Sequence, residues 1–394
     1  MILDIFSELQ KAQPWPANHE RAVIEEALAQ AKLADELGFG CWWNVEHHGA
    51  AEFSYSSAPE MMPVLLSQHT RRLRFGHSGI LAPFRINHPV RIAERAAFAD
   101  IVSGGRLELG LARSGGMEWD TFGVDPASSR AELREALHMI PRIWTESPFE
   151  WQSERITVPK RDIVPKPLQK PHPPLWQTCT SPESFEMAGE LGVGALGTTL
   201  FTPLPSLAQC FDRYALGLAR CRPCGLFVNQ QRAVFTFVHC APSRRAAIES
   251  RAGEAALWFV NFAPRIFQTP RKAWIDTIRG GFLSGDPAAG RALSEPELLP
   301  AEDDLDDPIP VIRLMNRHLA GHRLDPEEVF EVLDALDSVV IGDPDRCLEK
   351  MQAYKALGAD RLMCFMQFGA LDPARVLESL RLTGEVLLPA LQHS

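Results

Sequence analysis

Apolar positions along this chain alternate between two rhythms. Short apolar runs of strand length recur at 2–7, 39–45, 73–80, 106–112, 174–179, 193–198, 232–240 and 361–367. Between them, apolar residues repeat with a helical period. The first such segment, 19–37, places Val23, Ile24, Ala27, Leu28, Ala31, Ala34 and Leu37 on one face. Further helical patterns fall near 59–70, 88–103, 128–145, 182–191, 205–220, 243–260, 344–357 and 372–390. Gly38, Gly192 and Gly358 each follow a helical pattern and precede a strand. That is where a residue tolerant of positive φ ends a helix.

Strand then helix, repeated through the chain, implies parallel strands joined by right-handed crossovers. The predicted fold is α/β, a (β/α)8 TIM barrel, with a doubly wound open sheet as the alternative. One stretch breaks the rhythm. Residues 262–335 separate the seventh strand unit from the eighth strand and include the acidic, proline-rich "SEPELLPAEDDLDDPIP". A segment this long inside a compact domain is usually functional or disordered. The expectation is one domain over 1–394, with 262–335 an insertion rising over the barrel mouth as an active-site lid. A plain surface excursion is the alternative.

Length and charge narrow the partners. The chain has 394 residues, 45% of them hydrophobic, and a net charge of −10. That composition supplies a large core and argues against a general nucleic-acid binder, which needs a basic face. No apolar run approaches the roughly 18–20 residues of a membrane helix, and the N-terminus shows no signal-peptide pattern. Eight cysteines in a chain this long read as reduced thiols of a cytoplasmic protein. Cys221 and Cys224 form a lone CxxC without the second pair that zinc usually requires.

In a barrel of this kind the chemistry collects at the C-terminal ends of the strands. "WWNVEHHGA" carries Glu46, His47 and His48 directly after the second strand. Adjacent histidines project to opposite sides of an extended strand, which disfavours one shared metal ion. An acid–base site, with one imidazole facing the mouth and its neighbours orienting it, competes with a solvated polar rim. Ser7 and Glu8 follow strand 1, Ser78 and Gly79 end strand 3 with His88 beyond, and Arg113 and Ser114 follow strand 4. Thr180 and Ser181 follow strand 5, and Gln367 follows strand 8. In "TSPESFEMAGELG" Ser181 and Pro182 form an ordinary helix start. The same start is a candidate phosphate cradle, provided that Glu183 turns away, with Arg113 supplying the counter-charge. "GVGALG" at 192–197 follows a helix and enters a strand, the reverse of a dinucleotide fingerprint.

These pieces resemble the luciferase-like flavin monooxygenases, the family of the bacterial luciferase α subunit. The resemblance rests on "VEHHGA" (45–50), "GHSGILAPFRINHPVRIAERAAFADIVSGGRLELGLARSGG" (76–116), "TSPESFEMAGELG" (180–192) and the stretch 341–391. It is weakest over 262–335. It implies a TIM barrel, a homodimer, and reduced FMN (FMNH2) held over the mouth with O2 as co-substrate. The family's catalytic histidine falls on His47, with Glu46 or His48 orienting it. The phosphate-binding residues fall on Arg113, Ser181 and Ser184, beside Thr180. A non-proline cis peptide under the flavin ring falls on Ser78–Gly79. The implied activity is a two-component monooxygenase. It would insert one oxygen atom into a small organic substrate through a flavin C4a-hydroperoxide, fed by a separate NAD(P)H:flavin reductase. An F420-dependent oxidoreductase and a non-catalytic flavin-binding partner subunit are the alternatives. Three positions depart from the family pattern: Ser114 where glycine is usual, Gly49 where an aromatic residue is usual, and Thr199 at an aromatic position near the flavin ring.

Overall fold

The structure, a computed structural model, describes residues 1–283 and 299–393. Eight parallel strands close a barrel, as the alternation predicts. They are β1 (Ile2–Ser7), β2 (Cys41–Asn44), β3 (Arg74–His77) with its continuation β4 (Ile80–Leu81), and β5 (Leu107–Ala112). A hairpin of β6 (Phe149–Gln152) and β7 (Thr157–Arg161) stands outside the barrel. The barrel then resumes with β8 (Leu175–Thr178), β9 (Gly194–Thr198) and β10 (Arg232–Cys240). β11 (Val340–Gly342) pairs with the far end of β10, and β12 (Arg361–Phe365) closes the ring between β10 and β1. The register places Ile5 beside Trp42, Trp43 beside Gly76, and Phe6 beside Phe365.

The interior explains why closure is specific. Near the floor, Arg361 reaches Asp4 at 3.2 Å and Glu108 at 3.1 Å. Trp43 Nε1 donates to Asp4 and Trp176 Nε1 to Glu108, each at 2.8 Å. The two indoles meet edge to face at 5.2 Å. Every strand that contributes to this layer must keep its register, because one slip would bury an unpaired charge. Above it Phe6 stacks on Phe235 at 4.1 Å, with Phe365 edge-on to Phe6 at 5.4 Å. These rings fill the barrel, so the chemistry lies at its mouth.

The expected glycine exits are present: Gly38, Gly192 and Gly358 end their helices at φ +89°, +66° and +97°. Two expected helices are divided. The segment near 243–260 is two helices, Arg244–Glu249 and Ala252–Ile266, broken at Arg251 with φ +61°. The last helix passes through a π-helical turn at Thr383–Leu387. The hairpin and a short helix, Gly116–Phe122, left no periodic signal, since each spans too few residues. The described part of 262–335 is helical, with Arg271–Leu283, Pro310–Leu319 and Pro326–Asp334. Buried Arg279 joins Asp276 of its own helix at 2.8 Å and Asp307 at 2.7 Å, tying the first of these helices to the turn before Pro310. Residues 284–298, including the start of "SEPELLPAEDDLDDPIP", lie outside the described residues.

Candidate active site

β2 ends at Asn44, and the chain leaves the barrel carrying Glu46, His47 and His48 onto its rim. His47 Nδ1 lies 2.7 Å from Glu118 Oε1, and its Nε2 lies 3.6 Å from Glu8 Oε2. Glu8 follows β1, and Glu118 belongs to the short helix after β5. Three strand ends thus converge on one imidazole. Phe53 and Phe267 meet its ring edge-on at 5.4 and 6.0 Å. Burial alone would discharge His47, but Glu8 and Glu118 outweigh it and raise its pKa to about 9. Burial pushes Glu8 up to about 7, with His47 pulling the other way. Glu118 keeps its charge against burial, because His47, Ser114 and the His48 backbone N–H all donate to it.

Glu46 does not orient His47 directly. Its carboxylate accepts from the Leu81 backbone N–H at 2.8 Å and from Asn87 Nδ2 at 2.9 and 3.1 Å, and it holds His48 Nε2 at 3.2 Å. Arg95 fixes Asn87 in turn, donating to its Oδ1 at 2.6 Å. His48 sits edge-on to Phe122 at 5.0 Å. The residue that orients His47 is Glu118, which sequence reasoning missed. Its signal was an acid placed shortly after the end of β5, in "ARSGGMEWD".

Arg113 and Ser114 sit where β5 ends. Ser114 takes φ +68°, a conformation that favours glycine, and its hydroxyl donates to Glu118 Oε2 at 2.7 Å. That bond gives a serine a reason to occupy the strained position. Arg113 lies over the Trp119 ring at 5.6 Å. Its Nε is buried without a hydrogen-bond partner, and among the described residues its guanidinium has no carboxylate. Burial and nearby Arg130 hold it below the ordinary arginine value.

The helix Pro182–Leu191 begins with a reciprocal capping box. Ser181 Oγ accepts the Ser184 N–H at 3.4 Å. Ser184 Oγ accepts the N–H groups of Thr180 and Ser181 at 3.1 and 3.0 Å. Glu183 does not turn away. It is drawn to its own backbone N–H and to the Ser181 hydroxyl, and Arg130, which repels Arg113, attracts it. The N-terminal N–H groups of a helix attract any nearby anion, and the chain's own carboxylate gets there first. An unsatisfied, half-buried Arg113 beside Arg130 nevertheless fits a phosphate group.

Ser78 donates its N–H to the Asn44 carbonyl at 2.8 Å, and Thr178 Oγ1 donates to the Ser78 carbonyl at 3.0 Å. The Ser78–Gly79 bond is not cis: among the described residues the cis bonds all precede proline. Gly79 instead takes φ +125° in the irregularity where β3 runs on into β4, both strands parallel to β5. A Cβ there would lie 2.6 Å from Ala112 Cβ, so only glycine fits. Thr199 is buried and bonded to the Tyr354 hydroxyl at 2.9 Å. His88 is a helix cap, accepting the Val90 N–H at 3.2 Å.

The helix Ala252–Ile266 and the turn after it lie across this rim. Phe259 stacks on Phe53 at 4.9 Å, Gln268 donates to Asp120 at 2.7 Å, and Gln10 joins the Gly369 N–H at 2.5 Å to the Phe53 carbonyl at 3.2 Å.

The chain is similar to known proteins in sequence and in fold. The flavin-dependent trigonelline monooxygenase, oxygenase component, of Acinetobacter baylyi is 33% identical over 184 residues, 46% of this chain and 50% of that protein. The chain therefore matches about half the length of this curated relative. Among solved structures, the FMN-bound oxygenating constituent of 3,6-diketocamphane monooxygenase from Pseudomonas putida superposes with TM-score 0.67 at 17% identity, covering 99% of this chain and 98% of that one. The F420-dependent tetrahydromethanopterin reductase of Methanopyrus kandleri superposes with TM-score 0.66 at 18% identity, covering 99% of both. A sequence profile described as luciferase-like monooxygenase matches residues 6–361, and the chain belongs to that family.

Proposed function

We propose that this chain is the oxygenase component of a two-component, FMNH2-dependent monooxygenase acting on a small organic substrate. The observation that carries the reading is a juxtaposition. An imidazole clamped by two buried carboxylates shares one barrel mouth with a guanidinium that has no anionic partner among the described residues. Arg113 and Arg130 would hold the FMN phosphate, with Thr180, Ser181 and Ser184 beside them once Glu183 moves aside. Ser78 and Gly79, at the end of β3, would border the flavin ring. Bound reduced flavin supplies the reaction with dioxygen. The chain's own residues position it, exclude water and handle the proton. His47 serves as base or hydrogen-bond partner at the reacting centre, and Glu46 holds the neighbouring His48 off it. The helices of 262–335 act as a lid, bringing Phe267 against His47.

The name of the Acinetobacter relative supports a separate NAD(P)H:flavin reductase as partner. Exposed Met61, Phe98 and Ile101 on helices Met61–Ser67 and Pro89–Val102 supply apolar surface for a homodimer. Among the described residues no helix is long and apolar enough to cross a membrane.

Anaerobic titration with FMNH2, followed by dioxygen uptake with candidate substrates, tests the reading. Arg113→Ala is expected to weaken FMNH2 binding, and His47→Ala to slow turnover roughly 10²–10⁴-fold with affinity retained. Tight F420 binding without FMNH2 binding would favour hydride transfer instead. Binding of FMNH2 with no dioxygen uptake would favour a non-catalytic subunit.

A further inference from the structure

The mouth buries more negative charge than its cations balance. Glu8, Glu46 and Glu118 are 3%, 5% and 1% exposed. Among the described residues, no lysine or arginine pairs with any of them; their partners are His47 and His48. Buried carboxylates must be hydrogen-bonded, paired or protonated. Two of the three have neutral donors. Glu46 takes N–H groups from Leu81 and Asn87, and Glu118 takes the Ser114 hydroxyl and the His48 backbone N–H. Glu8 is different. Its Oε2 is buried, has no hydrogen bond, and faces His47 Nε2 across 3.6 Å.

We propose that His47 works as an imidazolium, and that Glu8 is the positioning residue that keeps the proton on its Nε2. Resting on the oxygenase reading, this narrows the two roles left open for His47 to one: the imidazole is a hydrogen-bond and proton donor to the reacting centre and not its base. Nδ1 is committed to Glu118, which fixes the ring plane. Nε2 is the nitrogen left for chemistry, and it points toward an acceptor that nothing else satisfies. The charged and titratable groups facing the ring are Glu8 from the end of β1, Glu118 from the helix after β5, and Glu46 from the end of β2. All three are acidic, and the remaining ring neighbours, Phe53 and Phe267, carry no charge. The charges facing the ring therefore all favour the cation, and they act against burial. When the proton leaves Nε2 for a developing oxyanion, the neutral imidazole remains hydrogen-bonded to Glu118. The proton is recovered from solvent, to which the His47 side chain is 11% exposed.

The direct test needs no turnover. The full chain is labelled with ¹⁵N-histidine, and His47 is assigned among the twelve histidines by its loss in His47→Asn. Its two ring nitrogens are followed through a pH titration. The expected result is an imidazolium at neutral pH, with both nitrogens protonated. Glu8→Gln should lower the titration midpoint by roughly 1–3 pH units, the effect of removing an opposite charge at this range. Glu8→Asp should restore most of it, which a merely structural role would not require. A neutral His47 at pH 7 in the unaltered chain overturns the proposal, whether or not the variants fold. An unmoved midpoint in folded Glu8→Gln removes Glu8 from it. The charge state is read without flavin, so failure of the oxygenase reading would appear separately, as absent FMNH2 binding or dioxygen uptake.

Discussion

Gly116 lies so close to Phe267 that a Cβ on it would stand 2.3 Å from the Phe267 carbonyl carbon. The contact joins the helix carrying Glu118 to the segment that crosses the mouth. Gly116 also takes φ +46°, so a side chain there is strained twice. Gly116→Ala is expected to cost about 1–3 kcal/mol by overpacking, read from the urea midpoint. If the segment is a lid, the same variant will consume more FMNH2 per product and release more hydrogen peroxide.

Stability should fall on both sides of a maximum on the acid side of neutrality. Glu8 is raised from 4.5 to about 7 and His47 from 6.5 to about 9. Both hold protons more tightly folded than unfolded, so the stability they contribute is present at low pH. It is lost as pH rises through about 4.5–7 for Glu8 and 6.5–9 for His47. His77 and His239 behave oppositely. Burial drives them down to about 3 and about 4, so the unfolded chain gains protons that the fold refuses once pH drops below 6.5. Urea unfolding at a series of pH values should show both limbs. His47→Asn should flatten the alkaline one and His77→Leu the acid one.

Arg361 neutralises two acids that would otherwise face each other in the barrel floor. Arg361→Met leaves Asp4 without its cation, while Glu108 keeps Arg74 at 2.7 Å. Breaking such a buried pair costs about 3–5 kcal/mol. Equilibrium unfolding should show that loss, while the His47 titration stays in place, because the floor lies below the phenylalanine layer.

Glu183 competes with any anion for the start of the helix Pro182–Leu191. Glu183→Gln is therefore expected to tighten FMN binding several-fold, measured by quenching of flavin fluorescence. The gain should be larger at low salt, where charge repulsion is less screened. Weaker binding in this variant would assign Glu183 a part in holding the cofactor.

The sequence by itself determined the barrel. Each strand and each crossover helix is a local pattern, and a chain of alternating units has one common way to bury both faces of a parallel sheet. It also placed His47, Glu46, His48, Arg113 and Ser181 at strand ends, because motif and strand boundary lie within a few residues of each other. What it left undecided was pairing across the mouth. Glu118 is 71 residues from His47, and nothing in local periodicity marks it as that ring's partner. The same holds for Glu46, which turns to Asn87 and His48, and for Ser78–Gly79, where a positive-φ glycine replaces the expected cis bond. These choices depend on which side chains closure of the barrel brings within 3 or 4 Å in a dry environment. There each buried charge must find a partner or a proton, and only the tertiary structure decides which.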